Sequence, residues 1–142
     1  MYNYYFNNDM YRSNMDLYRN QNMPSLFNPT TGYNNGNLFR NLYSQYKNYK
    51  PVVLKASNER EKLLLDLSET AFALHELKLY LDLNPNDSSI LALFNDYRKK
   101  VQELKNEYES KYGVLDTNSD KLEEVPFAWE NGAWPWEGKF NV

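Results

Sequence analysis

The fold is decided by residues 57–113, which read SNEREKLLLDLSETAFALHELKLYLDLNPNDSSILALFNDYRKKVQELKNEYESKYG. Asn58 and Glu61 stand three residues apart, in a variant of the capping box, and predict that a helix begins there. Pro85 predicts its end near Leu83-Asn84, because proline donates no N–H and disfavours helical geometry in the residue before it. The predicted buried seam has alternating spacings of four and three: Leu63, Leu67, Thr70, Leu74, Leu77 and Leu81.

A second helix follows the turn. Asp87 or Asn86 is its predicted N-cap, and Gly113 is its predicted terminator. Its seam again has spacings of four and three: Ile90, Phe94, Tyr97, Val101, Leu104 and Tyr108. Because the turn is too short for anything but antiparallel neighbours, the sequence predicts an all-α chain built on a long antiparallel αα-hairpin.

The first helix carries more apolar surface than one neighbour can cover. Leu65, Phe72 and Leu79 form a second stripe beside its seam. Two packed helices cannot bury both stripes, so this face is expected to meet the tails, a second copy or a different protein. Glu69 and Glu76 share one face of the helix and are expected to form a solvated flank.

An Asn/Tyr-rich extension, residues 1–55, precedes the helices and holds nine of the thirteen tyrosines. A segment of this composition is not expected to form a packed core of its own, so we divide the chain into two regions, residues 1–55 and residues 56–142. Two short helical patterns are nevertheless expected in it. They are Tyr11, Met15 and Tyr18, and, after the Asn35-Gly36 turn, Leu38, Phe39, Leu42, Tyr43 and Tyr46.

The irregular C-terminal tail contains every tryptophan of the chain: Trp129, Trp134 and Trp136. Each indole is a large rigid apolar group that carries one N–H donor, and three of them in a segment with Pro135 and Gly132 would otherwise leave an adhesive surface. The tail is therefore predicted to dock, either onto the chain's own core or into another subunit.

The residues that most enzymes require are scarce. The chain has no cysteine, and His75 is its only histidine. Phe72 stands where a Glu-x-x-His metal motif would need its glutamate, and neither a glycine-rich phosphate loop nor a Gly-x-Ser-x-Gly elbow is present. We therefore predict no catalytic, cofactor-binding or metal-binding residue, and no cofactor.

Charge and hydropathy argue against two further classes of protein, nucleic-acid-binding proteins and membrane-spanning proteins. Residues 1–50 carry five basic and two acidic side chains, too few and too scattered for a nucleic-acid groove. No apolar run approaches the roughly 18 residues of a membrane span, and the N-terminus lacks the pattern of an export signal. A soluble, non-exported product without nucleic-acid partners is expected.

Residues 60–140 contain a set of distinctive motifs: the run Ala71–Asp87 with its Leu-x-x-Tyr-Leu-Asp and Pro-x-Asp elements, Tyr97, Glu107-Tyr108, Lys111-Tyr112-Gly113, Trp129 and Trp134-Pro135-Trp136-Glu137. Together these motifs resemble the CotJB family of bacterial spore coat proteins. The resemblance implies a non-enzymatic structural component of the endospore coat that self-associates and assembles with other coat proteins. One of these partners is expected to be a manganese-catalase-like protein that is encoded beside this chain. It also implies synthesis in the mother-cell cytoplasm during sporulation, followed by residence in the coat.

A shorter segment, residues 36–46, resembles the Gly-Thr-Leu-aromatic motif of the CotJA family, with Asn37 in place of the threonine. Two alternatives to a structural role stay open: a tetratricopeptide-like interaction module, whose turn pattern Ala73–Asp87 shares, and a regulatory accessory of a catalase. The candidate partner-binding residues are Trp129, Trp134, Pro135, Trp136, Phe72, Leu79, Phe39 and Tyr43.

Overall fold

The computed structural model describes residues 24–42, 47–48, 50–123 and 125–131. These residues are mostly helical and contain no β-strand, which confirms the predicted all-α class. The α-helices are α1 (Pro29–Asn35), α2 (Glu59–Leu83) and α3 (Ser88–Tyr112), and two short 3-10 helices follow at Asp120–Glu123 and Ala128–Asn131. None of the helices described is both long enough and apolar enough to cross a membrane.

Both long helices begin at the residues that the capping signals indicate. The Glu61 N–H donates to Asn58 Oδ1 (2.8 Å), and the Glu61 carboxylate accepts in return from the Ser57 N–H (2.6 Å). At α3 the Ile90 N–H donates to Asp87 Oδ1 (3.0 Å), so Asp87 rather than Asn86 is the N-cap. Each cap gives a partner to an N–H that has none inside the helix.

Helices α2 and α3 pack against each other in opposite directions. At the connecting turn the Tyr80 hydroxyl lies 3.4 Å from an Asp87 carboxylate oxygen, and at the far end Arg60 Nε donates to the Tyr108 hydroxyl (3.0 Å). Most of the predicted seam is buried or half-buried, but two small-to-medium core residues were missed: Ala73 and Leu93.

A third segment completes the core. Leu26, Leu38 and Phe39 are buried in one cluster with residues of α2 and α3, among them Leu77 and Ile90. The described part of the extension therefore shares the core of the helices, which also explains why Ala73 is buried although it lies beside the predicted seam.

The helical pattern predicted from Leu38 onward is wrong for the residues described. Helix α1 lies earlier, capped by Asn28 with Pro29 in its first turn, and it ends at Gly36, which adopts the left-handed region at φ 68°. Leu38 and Phe39 are then not helical: Phe39 forms a β-bridge with Leu26. Tyr43, Tyr46 and the Tyr11–Tyr18 pattern lie outside the described residues.

Candidate interaction surfaces

A second internal interface, besides that between α2 and α3, joins residues 24–40, here called the docked segment, to one side of α2. The Phe39 ring stacks on Tyr80 with centroids 4.9 Å apart, and the Tyr33 ring meets Phe72 edge-on at 5.8 Å. Aromatic pairs in these geometries are favourable beyond their buried area. Leu38, only 1% exposed, fills the space between α1 and the long helices.

Two carboxylates of α2 hold the same segment. Glu69 Oε2 accepts from the Thr30 hydroxyl (2.6 Å), and Glu76 Oε2 accepts from the Leu38 N–H (3.3 Å). Glu69 is only 5% exposed, and Glu76 is half-buried, so the expectation of a solvated flank is wrong. Burial raises the pKa of Glu69, and the bond from Thr30 opposes that rise because it favours the charged carboxylate.

The docked segment is shaped by its own hydrogen bonds. The buried Asn37 side chain donates to the Phe39 carbonyl (2.5 Å) and accepts from the Phe39 N–H (3.1 Å). Arg40 Nε donates to the Leu26 carbonyl (3.0 Å), and its guanidinium lies 4.2 Å from the centre of the Phe27 ring. These contacts hold Leu26 and Phe39 side by side, so that both side chains enter the core.

A third carboxylate of α2, that of Asp66, lies nearer the start of the helix. Desolvation by burial, with a smaller contribution from neighbouring Glu69, raises the pKa of Asp66 to about 6. Lys62 and Lys100 partly offset the rise. No group of three or more potential metal ligands occurs among the residues described, and His75 is exposed on α2.

The chain after α3 is attached through another buried carboxylate, which sequence reasoning missed. Glu109 accepts from the Ser119 hydroxyl (2.7 Å) and from the Leu115 N–H (3.1 Å). Lys105 pairs with Asp116 at 2.6 Å. These contacts place residues 114–123 beside the C-terminal half of α3. Glu109 is not part of the predicted seam, and a glutamate beside a seam carries no signal for such a role.

The predicted partner-binding residues fall in different environments. Phe39 is 4% exposed, and its ring is used inside the chain rather than presented to a partner. Phe72 is half-buried against Tyr33, whereas Leu79 is 48% and Trp129 45% exposed. Tyr43, Trp134, Pro135 and Trp136 lie outside the described residues.

The side of α2 next to the one that the docked segment covers carries exposed leucines: Leu64, Leu79 and Leu83, here called the open stripe. At 3.6 residues per turn they fall within an arc of about 100°. Leu83 is the most exposed of them, at 84%. The docked segment therefore covers only part of the apolar surface of α2, and the leucines of the open stripe are exposed.

Comparison with protein families bears on the two long helices and on the chain after α3. A family model described as CotJB protein matches residues 61–137, more than half of the chain. The chain belongs to the CotJB family. This confirms the resemblance seen in the sequence, and because the family is one of spore coat proteins, membership implies a role and a location in the spore coat.

The residues matched by the CotJB model include some of the surfaces just described and leave out others. The match contains all of α3, the open stripe and most of α2, and it ends at Glu137, within the tryptophan-rich tail. The docked segment lies before it, so the likeness of residues 36–46 to CotJA stays a prediction. No curated protein and no solved structure matches the chain.

Proposed function

We propose that this CotJB protein is a non-enzymatic structural subunit of the spore coat that joins neighbouring proteins through the open stripe and the tryptophan-rich tail. The observation that carries the proposal is the open stripe, because leucines exposed along one helix face are typical of a surface that a partner covers. Val125, Phe127 and Trp129 add exposed apolar groups at the start of the tail.

The buried acidic side chains support a structural rather than a catalytic role. Glu69 holds Thr30, and Glu109 holds Ser119 and Leu115. Groups of this kind in an enzyme are directed at a substrate cleft, whereas these two carboxylates attach one part of the chain to another.

The open stripe is tested by replacing Leu79 with serine and measuring assembly by light scattering and by incorporation into coats. Truncating an apolar contact in an interface weakens association, so the Leu79→Ser chain should stay folded yet assemble poorly. Lys78→Ser is the matched control, since Lys78 is also exposed but is not part of the stripe. Equal assembly by the two variants would contradict the proposal.

The tail contributes a second contact in this proposal. From the sequence, Pro135 is expected to fix its own φ and to bias Trp134 toward an extended conformation, which would hold the indoles of Trp134 and Trp136 at a set separation before docking. Trp134→Ala separates two outcomes. A lower melting temperature of the isolated chain means that the tail covers the chain's own helices. Unchanged melting with lost assembly means that it anchors a partner.

We further propose the partners that the family resemblance implies: copies of the chain itself, other coat proteins and a manganese-catalase-like coat protein. In this proposal they meet in the mother-cell cytoplasm before the coat forms. Co-purification from sporulating cells tests the association. Catalase activity measured with and without this chain then separates a passive scaffold from a regulator, because only a regulator changes turnover.

A further inference from the structure

The docked segment is joined to α2 by a long connection. Residues 41–58 separate Arg40 from the first residue of α2, Glu59. Within it, residues 52–56 are exposed and without regular structure, and Leu54 N–H donates to the Asn34 side chain at 3.4 Å on the surface. The segment's contacts with α2 and α3 are buried, whereas the bond from Leu54 is at the surface.

The connection is longer than the path it has to cover. The segment bonds to α2 at Glu69 and Glu76, and the 17 residues from Glu59 to Glu76 span about 26 Å of helix at 1.5 Å per residue. Eighteen residues reach at most about 60 Å, at 3.3 Å for each residue of a fully extended chain. A segment with this reach can arrive at the same site on an adjacent molecule.

We propose that the docked segment exchanges between copies of this chain, so that Leu38 and Phe39 of one copy fill the site beside Ala73, Leu77 and Tyr80 of another. Exchange keeps the contacts between the segment and the helices, including the Thr30–Glu69 and Leu38–Glu76 bonds, because the two sites are identical. It differs from the closed form mainly in the entropy of the connection. The occupant is therefore a second copy, a contact that needs no new surface and adds to those proposed above.

Concentration decides which form is populated. A connection of 18 residues gives an effective concentration on the order of 1 mM, so the exchanged fraction should be about 1% at 10 μM and about half at 1 mM. Dilute chains are closed, and chains crowded into a layer are linked. The exchange thus supplies a link that forms on assembly.

The test uses the full chain, which has no cysteine of its own. Thr30→Cys and Glu69→Cys variants are mixed, unfolded together, refolded at several concentrations and treated with a short bismaleimide. Crosslinked dimer should rise about 50-fold between 10 μM and 1 mM. The matched control pairs Thr30→Cys with Lys78→Cys, because Lys78 is exposed on the same helix but lies outside both the open stripe and the side that bonds to Thr30.

Dimer that does not exceed this control at any concentration would overturn the proposal. Because either substitution removes the Thr30–Glu69 bond, isotope-filtered NMR on the unmodified chain provides a second measurement. Labelled and unlabelled copies, refolded together at about 1 mM, should show contacts between the Tyr33 ring of one and the Phe72 ring of the other. Contacts only within a copy overturn it. Neither result depends on coat incorporation of the Leu79→Ser variant, so the two proposals fail separately.

Discussion

At the scale of single residues, Asp66 shows how burial of an acid changes stability with pH. Its pKa in the folded chain is about 6, against an ordinary value of 3.8, chiefly because burial disfavours the charged form. The folded chain therefore binds more protons than the unfolded chain between these values. The free energy of unfolding consequently falls as pH rises through this window.

Asp66→Asn should remove that dependence. At pH 7 we expect the variant to be more stable by on the order of 1 kcal/mol, less than the full shift implies because Lys62 and Lys100 and partial hydration offset the penalty. Urea unfolding between pH 4 and 7 measures the effect. Asp82→Asn, at an exposed position of the same helix, is the control and should follow the parent curve. A destabilised Asp66→Asn chain at neutral pH would show that the carboxylate is instead favourably paired.

Gly36 is a residue whose backbone geometry decides its identity. It ends α1 at φ 68°, a region that a Cβ disfavours, although nothing lies within 4 Å of the position where a Cβ would be. Gly36→Ala should therefore cost about 1 kcal/mol of unfolding free energy through the backbone alone. Gly36→Asn should cost less, because asparagine tolerates this region. Equal losses in chemical denaturation would point to a cause other than φ.

At the scale of the elements, the N-terminus of α3 is stabilised by one capping side chain, that of Asp87. The Asp87 carboxylate accepts from the Ile90 N–H, and Ile90 is fully buried in the core. Asp87→Ala should lower the free energy of unfolding by about 1 kcal/mol, the usual loss for a capping side chain. Asn86→Ala is the matched control: Asn86 is exposed and adjacent, and its replacement should leave thermal melting unchanged. The reverse order of the two effects would contradict the assignment of the cap.

Helix α2 is the element that organises the others. Its side toward α3 carries Leu67, Thr70 and Leu77, and its side toward the docked segment carries Glu69 and Glu76. The open stripe runs beside the docked segment. Three different surroundings explain why its apolar residues are spread around the helix instead of forming one stripe.

At the scale of the whole molecule, the docked segment and the two long helices share one core, so they should unfold together. Leu38→Ala removes a side chain that is 1% exposed and should cost about 2–5 kcal/mol. Far-UV circular dichroism, which reports mainly on α2 and α3, should show a lower melting temperature in one transition. Leu42→Ala, at a largely exposed position just beyond the segment, is the control. Unchanged helix melting in Leu38→Ala would mean that the segment adds little to the core.

The sequence by itself determined the helical class, the start of α2 at Asn58 and Glu61, its end before Pro85 and much of the buried seams. These signals are local, since a cap or a helix turn joins residues three or four positions apart. Family membership was also readable, because its motifs lie along the two helices and the tail.

Only the tertiary structure decided where residues 24–40 lie. Thr30 bonds to a carboxylate 39 positions away, and no periodicity in either stretch indicates that pairing. The docking of residues 24–40 turned Glu69 from an expected surface residue into a buried one, and it placed Phe39 inside the core. Burial depends on what covers a side chain, and when the cover comes from a distant part of the chain, the local pattern does not contain it.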